Sequence, residues 1–422
     1  MPKDNQPPKD FKEAFHVLRL QKELKEKSVL DKYYIPRQVP RIEQLKQKLL
    51  VDRSPAKFLY TGHRKSGKTV QLYRLMADPE LAKTYFTVFY SIEEDLEIGD
   101  IEYIDILLTN ALKLYKSAAA QGLKLDKDVL DDLNSWFEQV STEVIRETVQ
   151  EKTKGWETGA KLELWIARIG GSIQNESTSR LQIRERLLPR VSEIIEKSNF
   201  IADQIQQKSS KPPLLIIDYL DNLDIASAQN IFQEHTQALL RANFKIIYTV
   251  PIALAYSDDF QPVSRQFDET VILPIINSRN SDGSENSTGR ELLRNIVLKR
   301  IDESLIQDKA LDHMIGISNG VLSDLLSIAE TCCIKAIATK APQIDWNMVD
   351  EELDTLKNQF KRSIPEDWYP HLVEISQKKD AAHDKMLWEM LYTLAVLEYE
   401  PGPWYDVHPV ILQILKDKKL LK

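Results

Sequence analysis

The run Gly62-His63-Arg64-Lys65-Ser66-Gly67-Lys68-Thr69 satisfies every fixed position of the pattern G-x-x-x-x-G-K-[ST]. The residue types say what such a loop does. Glycine at 62 and 67 lets the backbone turn tightly, so that successive N–H groups converge on one phosphate. A helix opening near Lys68 points the positive end of its dipole at the same anion. Lys68 is placed to reach the β- and γ-phosphates and the Thr69 hydroxyl to ligate Mg²⁺, while His63, Arg64, Lys65, Ser66 and Val70 supply the remaining backbone of the cradle. The chemistry indicated is the binding of a nucleoside triphosphate.

A second constellation lies downstream. Leu214-Leu215-Ile216-Ile217 ends in Asp218, the pattern of a central parallel strand whose C-terminal tip faces a ligand. Asp218 would hold Mg²⁺ through water. Asp221, just beyond the tip, is the candidate to polarise an attacking water, with Asp224 in reserve or capping the next helix. Thr249 could offer a hydroxyl to the γ-phosphate or serve as an ordinary β-branched strand residue. Arg265, ahead of the last strand, could reach a neighbouring subunit's γ-phosphate or be a solvated surface arginine. His408 reads as a packing histidine, because no nearby Cys or His completes a metal set.

These residues need a sheet to position them. Apolar and β-branched runs predict strands at 57–60, 85–92, 214–218, 245–251 and 270–274, with helices between, which is a parallel sheet covered on both faces. Residues 225–242 read as one helix. Residues 1–30 form an arm that becomes helical around Phe11, Phe15, Leu18 and Leu20, for packing or for docking a partner. The core spans 31–280. Within it, 115–210 reads as a helical insertion around a weakly periodic piece at 155–179, expected to be mobile or partner-facing. After the polar linker at 277–288, residues 286–345 form a helical lid. Residues 346–422 end in helix, hairpin-like turn and helix, a winged-helix-like module.

Composition bounds the reading. The 422 residues are 42% hydrophobic and 28% charged, an ordinary globular balance with room for several domains. A net charge of −8 supplies no global basic field for nucleic acid or an anionic membrane. The only cysteines, Cys332 and Cys333, are adjacent and fit a reducing compartment. The polar, Pro-rich start from Met1 to Pro8 is unlike a signal peptide and the apolar runs are too short to span a bilayer, so a cytoplasmic protein is expected.

With these features in place, the chain resembles the AAA+/STAND branch of P-loop NTPases, ATP-driven switches with an α/β core and a helical lid. It looks most like bacterial ATPases bearing Gly-His-Arg-x-Ser-Gly-Lys-[Ser/Thr], here 62–69, a Tyr-Thr-Val-Pro-Ile strand end, here 248–252, and a Trp-Tyr-Asp-Val-His-Pro tail, here 404–409. The resemblance covers about residues 30–422. It implies a P-loop NTPase three-layer α/β sandwich with a five-stranded parallel sheet, ATP and Mg²⁺ as ligands, and Tyr34 and Ile35 either flanking the adenine or forming a plain linker. Two departures stand out. Asp218 is followed by Tyr219 where many members have Asp-Glu, closer to the Asp-Gly-x-Asp type of signalling ATPases. The lid arginine expected three residues after Gly320 is Ser323.

With that arginine missing, hydrolysis is expected to be slow or to need a partner's arginine, and slow turnover suits a switch better than a motor. The leading expectation is an ATP-dependent regulatory switch, in signalling or anti-phage defence, acting as a homo-oligomer or through a separate effector protein. The alternatives are a DNA-associated ATPase of replication or transposition type, disfavoured by the acidic balance, and a nucleotide-binding structural subunit with little turnover.

Overall fold

The computed structural model describes residues 6–19, 23–257 and 260–421. Leu20 of the arm and residues 1–5 lie outside them. The chain divides into two compact units. One comprises Met1–Glu43, Gly62–Arg74 and Ile272–Lys422, the other Gln44–Thr61 and Leu75–Val271.

The second unit is built on the expected sheet. Its strands are β1 (Lys57–Thr61), β2 (Phe86–Ser91), β3 (Pro213–Asp218), β4 (Lys245–Thr249) and β5 (Glu269–Ile272), in the spatial order β2-β3-β4-β1-β5. β2 pairs with β3, β3 with β4 and β4 with β1, all parallel, with Ser91 opposite Asp218 and Ile217 opposite Tyr248. Every position of β1, β3 and β4 is buried, as expected of strands covered on both faces. Two of these strands open on a lysine. The Lys57 ammonium donates to the carbonyls of Ala242 and Phe244, each at 2.9 Å, and to Pro55, so it caps the strand ends, and burial pushes its pKa down to about 8.

The insertion departs from expectation. Residues 158–175, within the weakly periodic piece, form one helix, Thr158–Asn175, that buries Leu162, Trp165, Ile166, Ile169 and Ile173. This is a helical stripe, and it shares one hydrophobic core with Leu215 and Ile217 of β3. A buried ion network ties the insertion to the segment after β2. Arg184, on the helix Ser177–Leu187, donates to Asp105 at 3.0 Å, Asp100 at 2.9 Å and Glu102 at 3.0 Å. The stretch expected as one helix from 225 to 242 is broken into Ile225–Gln229, a π-helical turn at Asn230–Glu234, and Thr236–Leu240. Thr236 accounts for part of this, since its hydroxyl donates to the carbonyls of Phe232 and Gln233 and competes with the regular ladder.

In the first unit the segment expected to form a lid carries the helices Ser287–Leu298, Asp308–Ser318 and Leu322–Thr339. Phe11, Ala14 and Leu18 of the arm helix Phe11–Leu18 are buried in the same cluster, which gives the arm a packing role. Cys332 and Cys333 are buried there with their thiols pushed up to about 12 by burial. The C-terminal part runs Trp346–Ser363, Tyr369–Lys378, Lys385–Tyr392, an antiparallel hairpin of β6 (Val396–Tyr399) and β7 (Trp404–Val407), and Pro409–Asp417. Among the described residues no helix is long and apolar enough to cross a membrane.

Arg184 and Asp105 are both almost fully buried, so removing one leaves the other's charge unpaired. Arg184→Ala is expected to lower stability by about 3–5 kcal/mol, read as an earlier midpoint in urea unfolding.

Candidate functional site

The loop of the first unit has the backbone its sequence demands. Positive φ angles occur at Gly62 (150°), Lys65 (62°) and Gly67 (92°). A Cβ at Gly62 would sit 2.5 Å from the Leu273 carbonyl oxygen, so no larger residue fits there. Lys65 adopts the left-handed region without being glycine, at a cost of roughly 1 kcal/mol. That conformation is held from two sides. The Lys65 carbonyl accepts from the Ser323 N–H at 3.3 Å, and its ammonium pairs with Asp324 at 3.1 Å. The lid therefore meets the loop with a backbone amide and an acid at the position where the resemblance implies an arginine. The helix Lys68–Met76 starts directly after Gly67. Lys68 is buried, its ammonium donating to the carbonyls of Gly62 at 3.0 Å and His63 at 2.7 Å.

Other side chains hold the loop in place. His63 is buried, and its Nε2 accepts the Glu398 N–H at 2.7 Å. Burial first, and the nearby Lys68 charge second, push its pKa down to about 3, so the ring is neutral with its proton on Nδ1. The Arg64 guanidinium lies 5.0 Å from the centre of the Tyr392 ring. Arg37 donates to the Ser66 carbonyl at 2.9 Å and to that of Pro274. Asp324 also faces His408 Nε2 at 3.5 Å. Burial opposes its ionisation, but His408 and Lys65 outweigh that and hold it below the usual carboxylate range. His408 itself is buried, its Nδ1 accepting from the Val410 N–H at 3.3 Å, as a packing histidine should.

Tyr34 and Ile35 also fall in this unit. The Tyr34 hydroxyl donates to Gln71 Oε1 at 3.2 Å, and Arg74 lies 5.5 Å from the centre of its ring, so the side chain leans on the helix that follows the loop. Ile35 packs against the lid cluster.

In the second unit β3 ends on buried Asp218. Tyr219 has φ of 75°, the left-handed region, which is the physical reason a glycine suits this position in an Asp-Gly-x-Asp sequence. The short turn Leu220–Asn222 follows and carries buried Asp221. Thr249 fixes this tip. Its hydroxyl donates to the Ile217 carbonyl at 3.2 Å and accepts the Leu220 N–H at 3.0 Å. With both bonds to the backbone, the Thr249 hydroxyl shapes the turn. Asp224 is the helix cap, accepting from the Ser227 N–H at 2.9 Å and the Ser227 hydroxyl at 2.6 Å.

Arg265 is exposed, following the turn Gln261–Ser264. Asp268, just beyond it, exchanges hydrogen bonds with Lys57 at the start of β1, at 2.9 and 2.7 Å. The segment therefore lies at the edge where the strands begin, opposite to the edge that carries Asp218. Arg265 is not gathered with the Asp218 tip of its own sheet.

Sequence reasoning missed Arg37 and Asp324, both of which grip the loop through long-range contacts that leave no local pattern. Among the described residues no group of three or more His, Cys, Asp or Glu could hold a metal by itself.

No family model and no curated protein matches the chain. Solved structures similar to it include Drosophila ORC bound to DNA, at 12% identity and a TM-score of 0.41, covering 99% of this chain and 85% of that one. The Thermotoga maritima RuvB Holliday junction branch migration motor is similar at 12% identity and a TM-score of 0.36, covering 94% of each chain. Cdc6p from Pyrobaculum aerophilum is similar at 12% identity and a TM-score of 0.36, covering 94% of this chain and 98% of that one. The description of this chain as an α/β protein rests on its own parallel sheet and strand order.

The neutral His63 sets a pH dependence. Its folded pKa of about 3 lies below the ordinary 6.5, so the unfolded chain takes up the proton first as pH falls. The stability it contributes is complete above pH 6.5 and is lost progressively down to about pH 3. At pH 5 the loss is about 2 kcal/mol. Urea midpoints at pH 7.5 and 5 should differ more for wild type than for His63→Gln, which cannot titrate.

Proposed function

We propose that the chain is an ATP-binding, Mg²⁺-dependent ATPase of low turnover that acts as a regulatory switch of AAA+/STAND type. The observation that carries this reading is the loop at 62–69, with its positive-φ positions, its buried lysine and a helix N-terminus directly behind it. In this reading the loop amides and Lys68 bind the β- and γ-phosphates. Thr69 and Asp218 are the residues that would hold Mg²⁺, which when bound neutralises phosphate charge. Asp221 accepts the proton of the attacking water, and Tyr34 and Ile35 flank the base. ATP as the nucleotide follows from the resemblance.

The placement of Arg265 on the opposite sheet edge from Asp218 supports its use by a second copy rather than by its own chain. Ser323 in place of a lid arginine supports slow turnover. The C-terminal hairpin and helices then serve as a winged-helix-like module for protein contact, with a separate effector, in cytoplasmic signalling or anti-phage defence.

The tests are turnover and mass. Asp221→Asn should lower Mg-ATP hydrolysis by about 10²–10⁴-fold while nucleotide still binds. Binding without measurable hydrolysis in wild type would favour a structural nucleotide-binding subunit. By light scattering, mass should rise with a slowly hydrolysed ATP analogue and not rise in Arg265→Ala. A mass unchanged in every nucleotide state would remove Arg265 from the site. Duplex DNA binding that falls steeply with salt would move the reading to a DNA-associated ATPase.

A further inference from the structure

We propose that His63 latches the phosphate loop to the C-terminal hairpin, so that triphosphate binding and the seating of β6 on the loop oppose each other. This rests on the nucleotide reading of the loop and adds the regulation of that site. The consensus leaves residues 63–66 of the loop open, because they need supply only backbone amides to a phosphate. Here His63, Arg64 and Lys65 all end on the lid or the C-terminal segment. His63 Nε2 takes the Glu398 N–H of β6, Arg64 sits on Tyr392 of the helix before β6, and Lys65 pairs with Asp324, which faces His408 just after β7.

The hairpin depends on the His63 bond. Glu398 pairs with Tyr405 across the ribbon, yet the Tyr405 N–H donates outward to Lys379, so this is a pair whose N–H groups point away from each other. The outward Glu398 N–H has His63 as its acceptor, and Glu398 is buried. Losing that bond strands a buried donor. On the loop side, the Lys68 ammonium donates to the carbonyls of Gly62 and His63. A triphosphate that recruits Lys68 competes with both carbonyls and loosens the His63 peptide from which the latch projects. By reciprocity, whatever factor the triphosphate takes from the latch, the latch takes from triphosphate affinity.

The test is amide exchange on the full chain, with and without Mg²⁺ and a slowly hydrolysed ATP analogue. The expected result is slower exchange across 62–69 together with exchange across β6 that is about fivefold faster or more. His63→Leu should show fast β6 exchange in both states and bind the analogue about fivefold more tightly, while His63→Gln, which restores an acceptor, should behave as wild type. Protection of the loop with β6 exchange unchanged or slower would overturn the latch and leave nucleotide binding standing. A loop that gains no protection, with no measurable analogue binding, would overturn both. The wild-type comparison decides the matter even if His63→Leu fails to fold.

Discussion

A loop that turns its backbone N–H groups inward toward an anion must turn its carbonyls and side chains outward, and each of those must be satisfied by the protein. Much of the first unit answers to that constraint. The Gly62 and His63 carbonyls receive Lys68, the Lys65 carbonyl receives Ser323, and the Ser66 carbonyl receives Arg37. The side chains at 63, 64 and 65 find Glu398, Tyr392 and Asp324. The helices after 286, the pre-strand segment and the C-terminal hairpin are thereby held to one short stretch of chain.

The second unit solves a different problem, the exact exit of a buried strand. β3 must end on an acid, and the backbone must then turn away at once to bring Asp221 into a tight turn. Tyr219 makes that turn in the left-handed region, and the Thr249 hydroxyl stitches Ile217 to Leu220 across the gap it opens. A parallel sheet buried on both faces has little freedom to drift, so these short-range bonds are enough to fix the tip.

The sheet was legible because central parallel strands are continuous apolar runs, and the loop because its glycines and lysine stand at fixed spacing. The helix at 158–175 was obscured by Gly170, Gly171 and the charges between its apolar positions, although Leu162, Trp165, Ile166 and Ile169 keep the helical period. The break in the helix after 229 and the backbone role of Thr249 depend on hydroxyl bonds that no hydropathy pattern records. Arg37 and Asp324 reach the loop from far along the chain, so only the fold could bring them into view. Arg265 is exposed, and its edge of the sheet is visible only in the bonds between Asp268 and Lys57.

The most direct measurement of the central claim is calorimetric titration of Mg-ATP into the full chain and into Lys68→Ala. The account expects one saturable site in wild type, weakened at least about a hundredfold in the variant, because the proposed reading assigns the β- and γ-phosphate charge to Lys68. No binding to wild type, or equal affinity in both proteins, would contradict it.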